Sequence, residues 1–501
     1  MFEEIVRFQA SLHPTRPAVI TPDGVINFRR LNADMRRFAH RLKDVARQGS
    51  TAALALDRPY QHIVARGALS MLGVTFVAAP IQNRRKLLEL ISPDLVLWPH
   101  DAGPPPGKAV VLDGSWWSLP EPDGPIVPER PLTSEDPAAI LVSSGTTGLP
   151  KKVLFRRGQI DDRYQAFADA LQVGPGDRVL SLMGLDTAGG SGAQVVAWMW
   201  GGAWVSSPKL LFGVPGRPEL RPNLLIASPE QLRSVVASLP DDHKPDPDLN
   251  IWTVGSALPA TVSEAVRSRL SPRLHLSYGS TEAGSIAGAM AADLQDREGA
   301  TGYAYPWAEI EIVGEDGSVL PAGELGEIRV RSPGMATAYL DDEETSQTCF
   351  RDGWFHPGDL GTLDRNGLLT VSGRIGELIN IGGVKIACIS LEAAALSAEG
   401  VADAGACELK DPRDLASAWV GVVAEGEIDP DALRSALAGR FGPRTIQIAR
   451  VDSIPRNAMG KILRGPLAEA VQSAGPLVAA EQPPKPAKRG LGSLLRRSKA
   501  R

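Results

Sequence analysis

Between residues 143 and 152 the chain reads Ser143-Ser144-Gly145-Thr146-Thr147-Gly148-Leu149-Pro150-Lys151-Lys152. Glycines let a backbone turn sharply and approach a ligand, so that its N–H groups can face an anion. The hydroxyls of Ser144, Thr146 and Thr147 add donors, and Lys151 adds a point charge. That combination suits the oxygens of a polyphosphate. The spacing is not the GxxxxGK[ST] of a P-loop NTPase. Standing alone, a loop of this composition also reads as a plain flexible turn.

Four further chemically capable stretches follow. Tyr278-Gly279-Ser280-Thr281-Glu282 joins an aromatic face, two hydroxyls and a carboxylate. Gly353-Trp354-Phe355-His356-Pro357-Gly358-Asp359-Leu360 presents an aspartate after a turn. Gly373-Arg374-Ile375-Gly376-Glu377 sets a guanidinium among glycines, and Pro455-Arg456-Asn457-Ala458-Met459-Gly460-Lys461 ends on a lysine. Taken singly, Tyr278 reads as core, Asp359 as a turn residue, and Glu282, Arg374 and Lys461 as solvated surface charges.

Taken in order and at their separations, the five stretches resemble the motifs of the acyl-adenylate-forming superfamily, the AMP-dependent synthetases and ligases. That family includes acyl-CoA synthetases, peptide-synthetase adenylation domains and luciferases. The resemblance spans most of the chain and implies an enzyme, an acid–thiol ligase. It would activate a carboxylic acid with ATP as an acyl-adenylate, release pyrophosphate, and pass the acyl group to a thiol, CoA in the leading reading. One anion must then attack another, so the protein has to neutralise, align and hold.

The resemblance also implies roles. Ser144, Gly145, Thr146, Thr147, Gly148 and Lys151 would hold the β- and γ-phosphates. Gly255, Ser256 and Ala257 would face adenine, with Tyr278, Gly279 and Ser280 beside it. Thr281 would donate to phosphate, and Glu282 would offer hard oxygens to Mg²⁺. Asp359 would accept from the ribose hydroxyls, and Arg374 would reach ribose or phosphate. Lys461 would touch both the acyl carboxylate and the α-phosphate, making it, with Thr146 and Glu282, the catalytic set. The acid pocket would involve Asp186, Gly190, Gly255 and Gly279. Gly382 and Gly383 would line the thiol tunnel, and Gly376 would be the hinge of a small domain that rotates between the two half-reactions.

Asp186 carries two readings: partner to the ammonium of an amino-acid substrate, or N-cap of the helix that follows. The cap is the simpler one. Lys152 replaces the glycine that usually follows the phosphate-loop lysine. Cys388 and Ser390 stand where Pro and Glu are common, and Gly376 where Asp or Lys is. Two alternatives remain beside the CoA ligase: a stand-alone adenylation enzyme loading an amino or aryl acid onto a separate carrier protein's phosphopantetheine, and a non-catalytic nucleotide-binding scaffold.

The elements that must position these residues follow from pattern. The chain has 501 residues, 43% hydrophobic and 22% charged, with a net charge of -5. It is long enough for more than one domain and has no basic drive toward nucleic acid. Three scattered cysteines form no ligand pattern and suit a reducing compartment. Met1-Phe2-Glu3-Glu4 lacks the form of a signal peptide, so the expected location is cytoplasmic. Helical periodicity over Phe28–Val45 and Tyr60–Leu72 alternates with strand-like Thr51–Leu56 and Thr75–Ala79, which predicts layered parallel sheets. His100–Asp136 reads as surface loop. Alternating residues from Thr301 to Val330 predict a small antiparallel, barrel-like subdomain.

The expected fold is therefore α/β. Residues 1–374 form a large adenylation domain, 375–474 a small mobile α+β lid with the catalytic lysine, and 475–501 a basic, Pro-containing disordered tail. Membrane contact by that tail is not expected.

Overall fold

The computed structural model describes residues 2–81, 84–105, 107–143, 150–213, 216–294, 297, 299–381, 384–410, 416–424, 426, 428–442, 446–457 and 460–477. The loop residues Ser144–Gly148, the tunnel pair Gly382 and Gly383, and the tail from residue 478 lie outside them. The chain parts into two units. One is 1–376 with Asn457–Lys461, the other Glu377–Arg456 with the residues from Ile462 on.

In the large unit, a six-stranded sheet is parallel except at one edge. There Pro137–Ser143 runs antiparallel to Lys151–Arg156, with Ser143 opposite Lys151. The two strands that flank the glycine-rich segment in sequence are thus paired antiparallel neighbours. Thr51–Leu54, Thr75–Ala78 and Leu95–Pro99 are almost wholly buried. Continuous apolar runs are what a parallel sheet covered on both faces requires.

The second, fifteen-stranded sheet begins with a parallel set that includes Arg178–Ser181, Leu224–Ala227, Asn250–Thr253 and Leu274–Ser280. At Leu274–Ser280 it turns antiparallel through Gly284–Met290 and continues into the strands between 300 and 374. Those strands share a core of Ile312, Ile328, Val330, Phe355 and Leu369.

Helix Phe28–Leu42 starts at Asn27, whose side chain accepts from the Arg30 amide, and buries Leu31, Met35 and Phe38 on one face. One expectation is corrected here. Within the supposed loop 100–136, Ala109–Leu112 is a strand beside Leu95–Pro99, and Gly114–Ser118 is a 3₁₀ turn capped by Asp113. Four apolar residues sufficed once a neighbouring strand offered its edge, and Trp116 anchors the turn against Phe38.

The small unit pairs Val401–Lys410 with Ala416–Ala424 and the latter with Ile446–Arg450. Helices Cys388–Leu396 and Pro430–Phe441 supply Leu391, Leu433 and Leu437 to its core. Among the described residues no helix is long and apolar enough to cross a membrane.

Candidate active site

The strand Leu274–Ser280 and its partner Gly284–Met290 meet at a tight turn that carries Thr281 and Glu282. Gly279 is required there: a Cβ would lie 2.1 Å from the Gly284 carbonyl oxygen. Ser280 Oγ accepts from the Ala283 amide at 3.1 Å. This turn aims Tyr278 to one side and Glu282 to the other, and a cluster forms around each.

In the first cluster, Tyr278 Oη donates to Asp359 Oδ2 at 2.6 Å. Arg374 Nε lies 3.0 Å from Asp359 Oδ1. Asp359 and Arg374 are opposite residues of two paired strands, so backbone register makes this ion pair. Burial, and then the Asp359 charge, push the Tyr278 hydroxyl well above its ordinary pKa, so it remains a donor.

In the second cluster, Glu282 is 7% exposed. Its Oε1 accepts from Tyr339 Oη at 3.0 Å. Lys151 Nζ sits 4.8 Å from the centre of the same Tyr339 ring. Tyr339 therefore stands between the lysine of the first motif and the carboxylate of the second. Arg163 Nη2 donates to the Thr281 carbonyl at 2.8 Å and Nη1 to that of Glu282 at 3.2 Å. Burial pushes Arg163 down to about 10, so it stays protonated at neutral pH.

Lys152, the departure from the usual glycine, has a structural use. Its Nζ pairs with Asp341 at 2.5 Å, and its carbonyl accepts from the Leu340 amide at 2.8 Å. Both contacts fasten the segment that carries Tyr339.

Neither Tyr339 nor Arg163 stands out in the sequence. Each acts across 57 or more residues and belongs to none of the five stretches. Tyr339→Phe should leave the Glu282 carboxylate one donor short and lower stability by about 1–3 kcal/mol. Chemical denaturation midpoints measured against the parent check this.

The residues present fit a divalent cation. Glu282 Oε2 takes no hydrogen bond from the described residues, and among these no group of three or more His, Cys, Asp or Glu forms a protein cage. One free carboxylate oxygen without a cage is the donor set expected for Mg²⁺, which keeps its waters and takes phosphate oxygens.

Gly255, at φ +109°, turns the chain directly after Asn250–Thr253. Ser256 follows half-buried and Ala257 exposed. Asp186 is not the N-cap of helix Ala188–Met199. Thr187 is, with Oγ1 accepting from the Gly190 amide at 3.0 Å. Two adjacent residues of capping type competed, and only the second reaches the third helical amide. Gly190 is small because a Cβ would overlap the Gly184 carbonyl, at 2.0 Å.

Burial raises the Asp186 carboxyl above its ordinary pKa, and no Lys or Arg among the described residues pairs with it. A raised folded-state pKa means that stability is full below the ordinary aspartate value and is lost as pH rises through the raised one. Asp186→Asn should therefore raise Tm at neutral pH, and the gain should vanish on acidification below that ordinary value. Tm measured against pH in both proteins tests the sign.

Lys461 is half-buried. Its amide donates to Asn457 Oδ1 at 3.0 Å and its carbonyl accepts from the Asn457 amide at 2.9 Å, which closes a short loop. Gly376 lies in the exposed turn Ile375–Glu377, and a Cβ there would meet nothing within 4 Å. The cysteines are inert packing: burial pushes Cys388 up to about 12 and Cys407 up to about 11, and raises Cys349.

A family model described as AMP-binding enzyme matches residues 6–340. The chain belongs to that family. It is 28% identical over 501 aligned residues to an indoleacetate–CoA ligase of Aromatoleum aromaticum, covering 92% of this chain and 96% of that one. It is 28% identical to a 2-succinylbenzoate–CoA ligase of Bacillus licheniformis, at 91% and 97% coverage. A solved o-succinylbenzoate coenzyme A synthetase from Bacillus subtilis, in complex with AMP, superposes with a TM-score of 0.79 at 25% identity, over 92% of this chain and 97% of the other. As an AMP-binding enzyme, the chain has the mixed α/β architecture with a large N-terminal and a smaller C-terminal part.

Proposed function

We propose that the protein is an ATP-dependent acid–thiol ligase that adenylates a carboxylic acid, releases pyrophosphate and transfers the acyl group to CoA. The observation that carries this reading is the Lys151–Tyr339–Glu282 alignment, which sets a cation and a carboxylate of separate motifs on one aromatic ring. The full-length likeness to CoA ligases supports the thiol step.

In this reading Lys151, with Ser144–Gly148, takes the β- and γ-phosphates. Asp359, held by Tyr278 and Arg374, takes the ribose, and Gly255–Ala257 take adenine. Glu282 would hold Mg²⁺, whose charge would offset that of the phosphates. Lys461 brings positive charge to the two anions that must meet, the acyl carboxylate and the α-phosphate, where a preorganised cation is worth most. Residues 1–374 then form the adenylation domain and 375–474 the lid, turning about Gly376. Gly382 and Gly383 make room for the slim thiol arm, and the enzyme works in the cytoplasm.

The test is pyrophosphate exchange over a panel of fatty, aryl and amino acids, followed by CoA. Exchange with at least one acid and CoA-dependent thioester formation are expected. Exchange without thioester would point instead to a separate carrier protein as acceptor, and no exchange would point to a nucleotide-binding scaffold. If Asp186 anchors an ammonium group, only amino acids respond.

A further inference from the structure

The small unit contains an ion-pair network that none of the motif roles uses. Arg464, the first residue of helix Arg464–Ala474, sits three residues after Lys461. Its Nη2 and Nε lie 2.6 and 3.2 Å from Glu377 Oε2. Its Nη1 pairs with Glu392 Oε1 and donates to the Ala406 carbonyl at 2.8 Å. Glu392 Oε1 in turn accepts from the Ala406 amide at 3.0 Å. The three side chains are 25%, 24% and 12% exposed, so the network is largely out of water. Glu377 is the residue directly after Gly376 and the first of the small unit.

The other side of the lysine loop is fastened to the same strand. Arg456 Nη2 pairs with Asp403 Oδ1 at 2.7 Å, and Asp403 and Ala406 both belong to Val401–Lys410. Between the anchors, Leu463 N donates to the Pro455 carbonyl at 2.8 Å, and Arg456 bridges Ile462. The loop is closed at its neck and held at both ends.

We propose that Arg464 is a positioning residue that couples the chain just past the hinge to the neck of the loop carrying Lys461, so that the loop's two ends, Arg456 and Ile462, stay fixed in the small unit while Asn457–Lys461 between them group with the large one. This rests on the adenylation role assigned to Lys461. A guanidinium suits the task because donors on three nitrogens of one planar fork reach two carboxylates and a carbonyl at once, whereas an ammonium would have to reach all three from a single compact point.

The experiment compares full-length Arg464→Gln, Arg464→Lys, Glu377→Gln and Lys461→Ala with the parent. Three readouts are used: pyrophosphate exchange, thioester formation from supplied acyl-adenylate, and amide hydrogen exchange. Arg464→Gln should lower the exchange kcat by about 10- to 100-fold, the cost of displacing a catalytic group by about an ångström. The KM for ATP should stay within about twofold and the thiol step should be retained. Arg464→Lys should not rescue, and adding Glu377→Gln to Arg464→Gln should cost little more, because both break one network.

Hydrogen exchange at Asn457 and Lys461 should quicken while Val401–Lys410 stays protected. Parent-like exchange kcat in Arg464→Gln, or equal loss of both half-reactions, overturns the proposal. If Lys461→Ala keeps its activity, the role of Lys461 fails, whereas faster amide exchange in Arg464→Gln still establishes the coupling.

Discussion

Lys461→Ala should reduce acid-dependent pyrophosphate exchange by about 10²- to 10³-fold, the cost of removing one preorganised group that meets developing charge. The reason is electrostatic. As the acyl carboxylate closes on the α-phosphate, two anions share a small space, and a flexible ammonium is the one side chain the reading assigns to both. The thiol step starts from a mixed anhydride already formed and lacks that demand. Thioester formation from supplied acyl-adenylate should then fall by no more than about threefold. Equal losses in the two assays would remove the division of labour between the half-reactions. Because Lys461 is half-buried and its backbone closes the loop with Asn457, truncation at Cβ leaves those backbone bonds in place.

Asp359→Asn should harm both stability and nucleotide binding. Asp359 is 7% exposed and lies between Tyr278 Oη and Arg374 Nε. Removing its charge leaves Arg374 without its partner and Tyr278 donating to a weaker acceptor. Because Arg374 is about a third exposed, breaking this half-buried pair from one side should cost about 1–3 kcal/mol. In the proposed role the amide would also place an N–H₂ where the ribose hydroxyls need an acceptor. AMP affinity by calorimetry should drop by more than about tenfold, alongside a lowered unfolding midpoint. Unchanged affinity in a destabilised variant would confine Asp359 to a structural part.

Much of this was readable from the residues. The run Ala138–Val142 gave its strand because five small or apolar residues between turn formers have few other options. Glu282 is singled out in the sequence only through its neighbours, since a lone carboxylate carries no signal. What stayed hidden was set by tertiary pairing. Tyr339 looks like any aromatic until the strands bring its hydroxyl to Glu282. Arg163 looks like the exposed side of a helix until the turn at Thr281 lays two carbonyls against it. Asp186 and Thr187 were separable only by reach, because both residue types cap helices. In the 100–136 stretch, prolines and glycines masked a four-residue apolar run whose strand character came from its neighbour.

Because Ser143 faces Lys151 across an antiparallel pair, the chain leaving the glycine-rich segment enters a strand and not a helix. Strand dipoles largely cancel, so the triphosphate site proposed at this segment would have no macrodipole from the strand that follows it, of the kind that backs a strand-to-helix phosphate loop. In that reading the attraction for the nucleotide would come from discrete side-chain charges such as Lys151, which dissolved ions screen. Nucleotide affinity in this architecture should therefore weaken more steeply with ionic strength than in enzymes that aim a helix at the phosphates.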